Sequence, residues 1–210
     1  RRASLWMTTK LRDSEQGYDS AMRAFDHSLE LLQLDYVDMY MIHWPTPFDW
    51  RSDETWKALR KLREDGRVRT LGVCNFMPEH LDRLFDETGE YPTVNQIELH
   101  PKLTQQDLRA FCGEKAIAIQ AWSPLMQGKL LKDDTVLAIA DAQQKSAAQV
   151  LLRWAIQQGI LVNVKSTHPE RMIANAAIFD FHLSEDEMAR LNALNEDLRV
   201  GPDPDTFDFH

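Results

Sequence analysis

The chain has 210 residues, 43% of them hydrophobic, which is enough for one globular domain with its own core. Its formal net charge is −9 and it contains no dense block of Lys or Arg, so neither a nucleic acid nor a membrane surface is expected as a partner. No apolar run approaches the roughly 20 residues that cross a bilayer, and the first residues do not resemble a signal segment.

The two cysteines, Cys74 and Cys112, are far apart and have no Cys or His at metal-ligand spacing. Neither a metal site nor a disulfide is therefore indicated. We expect two reduced thiols that pack as small apolar groups in a cytoplasmic protein.

Short apolar runs alternate with segments of helical spacing along most of the chain. Several runs lack the in-out alternation of a half-exposed strand, which is typical of parallel strands covered on both faces. The six predicted strands are Leu5–Thr9, Val37–Ile42, Thr70–Val73, Val94–Leu99, Ile117–Trp122 and Ile160–Val164.

Between these runs, apolar residues recur at helical spacing. In the first such segment, Met22, Phe25 and Leu29 lie on one face of a predicted helix. Gly66 and Gly159 stand where glycines commonly end helices. The other predicted helices pass through residues 56–62, begin at Pro78, and cover Val136–Ala140 and Ala147–Gln157.

Strand–helix alternation implies a parallel sheet with right-handed crossovers, which an open doubly wound sheet and a closed barrel both satisfy. No G-x-G-x-x-G occurs in the sequence, and this weakens the open sheet. A closed (β/α)8 barrel needs eight units in about 250 residues. We therefore predict a single domain over residues 1–210, an α/β TIM barrel of which this chain supplies about six units.

Polar or aromatic residues stand at the end of every predicted strand. In a parallel barrel these positions meet at one rim, where catalytic groups are concentrated. Each residue alone is more often structural, but six strands ending this way indicate a ligand with amide, aromatic and phosphate features. The residues are Lys10, His43, Trp44, Asn75, Gln96, Trp122, Ser123, Lys165 and Ser166.

Lys165, Ser166 and Arg171 form a second cluster, next to Pro169, where a short helix can begin. Backbone N–H groups, a hydroxyl and two cations are suited to bind one phosphate. The alternative is a group of surface ion pairs.

Taken in order, these strand ends resemble the aldo-keto reductase family, in particular a bacterial branch similar to 2,5-diketo-D-gluconate reductases. The resemblance runs from residue 4 to the C-terminus. Its motifs are Thr8-Thr9-Lys10, Ile42-His43-Trp44-Pro45, Val73-Cys74-Asn75-Phe76, Asn95-Gln96-Ile97-Glu98, Trp122-Ser123-Pro124-Leu125, Lys165-Ser166-Thr167-His168-Pro169 and the closing Gly201-Pro202-Asp203-Pro204.

The resemblance implies an oxidoreductase that reduces aldehyde or ketone carbonyls with a hydride from NADPH. Lys10 and His43 match the family's catalytic Lys, which lowers the pKa of a Tyr acid, and the His that orients the carbonyl. The implied cofactor contacts are Cys74, Asn75 and Gln96 at the carboxamide, Trp122 at the nicotinamide, Ser123 and Leu125 at the pyrophosphate, Lys165, Ser166 and Arg171 at the 2′-phosphate with Thr167 beside them, and Asn175 at the adenine.

The implied substrate is a small molecule, such as a polar dicarbonyl or a keto-sugar acid. Trp44, Trp50, Phe207 and Phe209 are expected at the mouth of its pocket, because the family closes its site with such loops. The family also favours a monomer.

The sequence departs from the family pattern at several points. Cys74 replaces the usual Ser, and Ala174 stands where many members carry an acidic adenine contact. The family's catalytic Tyr and its Asp partner belong to the two units that the chain does not supply. Because the chain begins Arg1-Arg2-Ala3 rather than with Met, we expect a segment of about 65 residues to precede it.

Three hypotheses stay open, and a phosphate-handling lyase or isomerase barrel is a distant fourth. The first is a reductase completed by that segment, and the second is a truncated, inactive chain that still binds nucleotide. The third is a regulatory binding module on the same fold, which the retained Lys10 and His43 disfavour.

Overall fold

The computed structural model describes residues 2–207 and places six strands in one sheet in chain order. A doubly wound sheet reverses its strand order at a switch point, whereas unbroken chain order is the order of a barrel. Neighbouring strands from β1 to β4 pair in parallel, and so do β5 and β6. The strands are β1 (Thr8–Leu11), β2 (Val37–Ile42), β3 (Val68–Cys74), β4 (Val94–Glu98), β5 (Ala118–Trp122) and β6 (Leu161–Asn163).

Helices follow or separate these strands as the spacing predicts, with two additions. The unpredicted helices are α4, whose buried face is only Leu108 and Cys112, and α8, which a capping box of Ser184 and Glu187 begins. The helices are α1 (Tyr18–Leu32), α2 (Ser52–Glu64), α3 (Pro78–Thr88), α4 (Gln106–Glu114), α5 (Asp134–Gln143), α6 (Ala147–Gln157), α7 (Pro169–Ala176) and α8 (Glu185–Asn192).

The prediction for the first strand was wrong at its beginning. β1 begins at Thr8 rather than Leu5, and Leu5 is 57% exposed. The reason lies in the partner strand: Thr8 pairs with Met39, and β2 itself begins only at Val37. A residue as early as Leu5 therefore has no β2 residue to pair with.

The chain falls into two compact units. The first contains residues 2–96, 110–117 and 202–207. All six residues of β2 are buried, and its Tyr40 packs against Phe25 of α1 with ring centroids 4.8 Å apart. Helix α2 places Trp56 and Leu62 in the same core, both fully buried. The periodic apolar face predicted for these helices is thus the face that covers the strands.

The second unit contains residues 97–109 and 118–201. Gln120 of β5 pairs with Leu161 of β6, and helix α6 buries Leu151 and Trp154. The Trp154 indole donates a hydrogen bond to Asn192 at the end of α8, 2.8 Å away. The single domain expected for residues 1–210 stays a prediction.

Within residues 2–207, no helix combines the length and the apolar character needed to cross a membrane. Cys74 and Cys112 are both buried free thiols, as expected.

Candidate active site

Lys10 and Gln96 meet inside the first unit. The Lys10 ammonium, on β1, donates a hydrogen bond of 2.5 Å to the side-chain oxygen of Gln96 on β4. In a flat sheet these strands would lie about 14 Å apart, since neighbouring strands are about 4.8 Å apart. The contact therefore shows that β1–β4 curve, with both side chains on the concave face, as in a barrel wall.

Asn75 joins the ends of three neighbouring strands. It follows β3 in a left-handed conformation (φ 63°), which Asn tolerates better than most residues. Its backbone N–H donates to the Gln96 carbonyl at 2.9 Å, and its side-chain amide donates to the His43 carbonyl at 3.1 Å. Lys10, His43, Asn75 and Gln96 thus form one connected group, which we call the reaction cluster.

His43 also faces a buried carboxylate that the sequence did not predict. Its Nδ1 lies 3.6 Å from an Asp13 oxygen, and the Asp13 side chain is only 3% exposed against 40% for His43. The other Asp13 oxygen is buried and accepts no hydrogen bond from the described residues. The available signal was an acidic residue three positions after Lys10, in the turn that follows β1. An imidazole beside such a carboxylate is held in place through its Nδ1 edge.

Cys74 lies in the core rather than at a polar surface. Its side chain packs in a cluster with Met39, Met41 and Val94. Burial raises the pKa of the Cys74 thiol to about 12, so the group stays protonated and apolar. Its expected contact with a carboxamide stays a prediction.

Of the four aromatic residues predicted at the pocket mouth, Trp44 and Phe207 lie together and Trp50 lies elsewhere. Trp44, directly after His43, packs on Phe207 with ring centroids 4.3 Å apart. Trp50 instead lies against helix α3, where its indole donates to Glu87 at 2.7 Å. Phe209 is outside the described residues.

In the second unit, Trp122 ends β5 as a half-buried side chain, and its carbonyl accepts a hydrogen bond from the Leu99 N–H at 3.3 Å. Ser123 follows in a left-handed conformation (φ 53°), which turns the chain sharply after the strand. The indole is thus presented at the strand's C-terminal end, where the sequence places a cofactor platform.

A cavity of about 650 Å³ lies around the loop between β6 and α7, within the second unit. Neither Lys165 nor Arg171 forms an ion pair with another of residues 2–207. The Ser166 hydroxyl accepts a hydrogen bond from the His168 N–H at 3.1 Å, just before α7 begins at Pro169. The cavity wall includes six predicted residues: Leu125, Lys165, Ser166, Thr167, Arg171 and Asn175.

We call Lys165, Ser166 and Arg171 the phosphate cluster. The ion-pair alternative is wrong for the described residues, because Lys165 and Arg171 are exposed and neither pairs with a carboxylate of residues 2–207. Two cations, a hydroxyl and the start of a helix are suited to bind a phosphate.

The model of the aldo/keto reductase family matches residues 1–196. The chain belongs to this family. It is 50% identical over 208 residues to an aldo-keto reductase of Mycobacterium sp. (strain KMS), covering 99% of this chain and 75% of the relative. It is 48% identical over 208 residues to the glyoxal reductase of Bacillus subtilis (strain 168), covering 99% and 75%.

Solved structures of similar proteins have the same fold. A crystal structure of a Gox0644 mutant in complex with NADPH matches with a TM-score of 0.96 at 43% identity, covering 99% of this chain and 77% of that one. An aldo/keto reductase from Brucella melitensis matches with a TM-score of 0.89 at 49% identity, covering 93% and 75%. The predicted resemblance, fold class and oxidoreductase class are thereby confirmed.

No phenol of the described chain takes the place of the family's Tyr acid. Residues 2–207 contain four tyrosines, Tyr18, Tyr36, Tyr40 and Tyr91, and none shares a hydrogen bond with Lys10. Burial raises the pKa of Tyr40, and burial together with the Asp82 carboxylate raises the pKa of Tyr91 to about 12. These shifts are opposite to the one a proton donor at neutral pH needs.

Proposed function

We propose that this reductase chain binds NADPH and reduces small aldehydes and ketones to alcohols. The observation that carries the proposal is the reaction cluster, in which Lys10 and His43 are held at neighbouring strand ends by Gln96 and Asn75. Family membership supports the reaction class, and a solved relative at 43% identity contains NADPH.

The residues present fit the cofactor at its phosphate end. Lys165 and Arg171 supply two cations for the 2′-phosphate, and the cavity of about 650 Å³ has room for an attached adenosine group. Asn175 on the same wall offers an amide to a base. These contacts favour NADPH over NADH, which lacks that phosphate.

When bound, NADPH supplies a hydride to the carbonyl carbon, and a proton goes to the oxygen, so that carbonyl, NADPH and H⁺ give alcohol and NADP⁺. The Lys10 ammonium holds positive charge where negative charge develops on that oxygen. His43 orients the carbonyl through a ring nitrogen, while Asp13 faces its Nδ1. Trp122 would lie flat against the nicotinamide and so fix which face of that ring delivers the hydride.

For the substrate, we propose a small polar dicarbonyl or keto-sugar acid. The packed rings of Trp44 and Phe207 form an aromatic surface next to His43, and such a surface suits a compact substrate. The similarity to a glyoxal reductase supports a dicarbonyl. Two buried thiols without a disulfide support a reducing, cytoplasmic setting.

One observation favours a second candidate, nucleotide binding without turnover. Lys10 donates a hydrogen bond to Gln96, and none of the four described tyrosines shares a hydrogen bond with Lys10. In this candidate function, the phosphate cluster and Trp122 bind the nucleotide, and Lys10 takes part in no reaction.

Two measurements on the same protein separate these functions. Fluorescence titration with NADPH reports binding, and the fall in NADPH absorbance with glyoxal or a simple aldehyde reports turnover. Binding with turnover supports the reductase, and binding without turnover supports the second candidate. The absence of both would contradict NADPH as the ligand.

A further inference from the structure

A fully buried carboxylate holds the beginning of the C-terminal segment within the second unit. Glu98, at the end of β4, is 1% exposed. Its oxygens accept hydrogen bonds from the backbone N–H of Val200 at 2.7 Å and of Gly201 at 3.0 Å. His100, also fully buried, lies with Nε2 3.0 Å from the same carboxylate.

This carboxylate stays ionised in spite of its burial. Burial by itself raises the pKa of Glu98, but hydrogen bonds from His100, Val200 and Gly201 outweigh it and hold the pKa below the ordinary value. The three donors are held in place around the buried charge, because moving any of them away would leave the carboxylate with one hydrogen bond fewer in a buried site.

A glycine is required at position 201 because a side chain has no room there, and not because of the backbone conformation. A Cβ atom at this position would overlap Cη2 of Trp122, and it would lie 3.3 Å from the Cζ2 of that ring and 3.2 Å from a Glu98 oxygen. The glycine φ is not in the left-handed region, so an alanine would meet no backbone strain there. The backbone therefore lies directly against the edge of the Trp122 ring.

We propose that Glu98 is a positioning residue, which seats the Gly201 backbone against Trp122 and so fixes the indole as the nicotinamide platform. The inference rests on the proposed function, because it assigns the indole to a bound nicotinamide. The proposed role of Glu98 involves no contact with the cofactor or the reacting atoms. It acts through Gly201 on the angle and freedom of one aromatic ring.

The test compares Gly201→Ala with Gly113→Ala. Gly113 is the matched control, because a Cβ there would meet nothing within 4 Å and its φ is not left-handed. We expect Gly201→Ala to lower NADPH affinity about tenfold and to shift the Trp122 indole N–H signal in NMR spectra without nucleotide. The control should change neither.

A double-variant cycle distinguishes positioning from general destabilisation. In the Trp122→Phe background the outer indole atoms that the Cβ meets are gone, so Gly201→Ala should then cost less than about twofold in affinity. Glu98→Gln, which places an amide among the same donors, should shift the Trp122 signal in the same direction as Gly201→Ala.

The inference is overturned if Gly201→Ala matches the control in affinity and in the indole signal, or if its effect is equal in both backgrounds. Failure of the proposed function gives a different pattern: the wild type does not bind NADPH, while the indole signal still responds to Gly201→Ala. If Glu98→Gln does not fold, the cycle on Gly201 decides alone, since that residue lies outside every helix and strand.

Discussion

The reaction cluster and the phosphate cluster are built in opposite ways. Lys10 and Gln96 are bonded to each other and half-buried or buried, and Asn75 ties their strands together. Lys165 and Arg171 are exposed and have no ion-pair partner among residues 2–207. Under the proposed function, the groups that act on reacting atoms are arranged before the ligand arrives, whereas the groups that would recognise a phosphate are exposed to solvent until it binds.

From this contrast we expect substitutions in the reaction cluster to change kcat and substitutions in the phosphate cluster to change NADPH affinity. The largest change is expected for Lys10. Lys10→Met removes the charge near the developing alkoxide, so kcat should fall about 10³-fold while NADPH affinity changes less than about twofold. Steady-state kinetics and fluorescence titration measure the two constants. Lys57→Met is the control, since Lys57 is an exposed lysine on α2 that pairs with Asp53 of the same helix. An unchanged kcat would remove Lys10 from the mechanism.

Arg171 should show the reverse behaviour. Arg171→Ala removes one cation from the phosphate, and we expect NADPH affinity to fall about 10- to 100-fold while NADH affinity changes little. Arg190→Ala, on an exposed arginine that faces Asp186, is the matched control. Equal losses for NADPH and NADH would show that the 2′-phosphate does not bind at this cluster.

The same contrast explains what the sequence could predict. The phosphate cluster is local: residues 165–171 follow one strand, and their loop and helix start are readable from Pro169 and the residues before it. The reaction cluster joins four distant segments, and only the family resemblance combined them. Asp13 and the contact of Glu98 with Gly201 were missed, because such contacts depend on tertiary packing, in the latter case across 103 positions.

The strands show a similar limit. β2 matched its predicted range because all six of its residues are buried, so the apolar run and the strand coincide. β1 did not, since Leu5 and Trp6 are apolar but exposed, and pairing rather than hydropathy determines where that strand begins. Helix α4 was missed because two buried residues give too weak a period.

Glu98 differs from both clusters because its charge is fully buried, and the contribution of this charge to stability can be tested by changing the pH. Its folded-state pKa lies below the ordinary value of 4.5, so the unfolded chain binds this proton more tightly. The stabilisation is therefore complete above about pH 4.5 and is lost as the pH falls through the lower folded-state pKa. Wild type should exceed Glu98→Gln by about 1–3 kcal/mol in unfolding free energy at pH 7, and by less at low pH.

Urea unfolding of both proteins between pH 7 and pH 3 measures that difference. A gap that stays constant over this range would contradict an ionised Glu98. The Gly113→Ala variant, with no charge involved, should keep a constant gap to the wild type.

Salt should produce the smallest effect and still separate the clusters. The two cations of the phosphate cluster are exposed, so raising the salt concentration from about 0.05 M to about 0.5 M should weaken NADPH binding about threefold. The kcat of the bound enzyme should hardly change, because the reaction cluster is partly buried. If salt lowered kcat as much as it lowered NADPH affinity, the proposed difference between the two clusters would be contradicted.

The central claim is that a hydride passes from NADPH to a carbonyl next to Lys10. The most direct measurement is a turnover with NADPH carrying deuterium at the transferred position and a small dicarbonyl, with mass spectrometry of the product. We expect an alcohol that carries the deuterium from the wild-type protein, and no deuterated alcohol from Lys10→Met. NADPH that binds yet transfers no deuterium from the wild-type protein would contradict it.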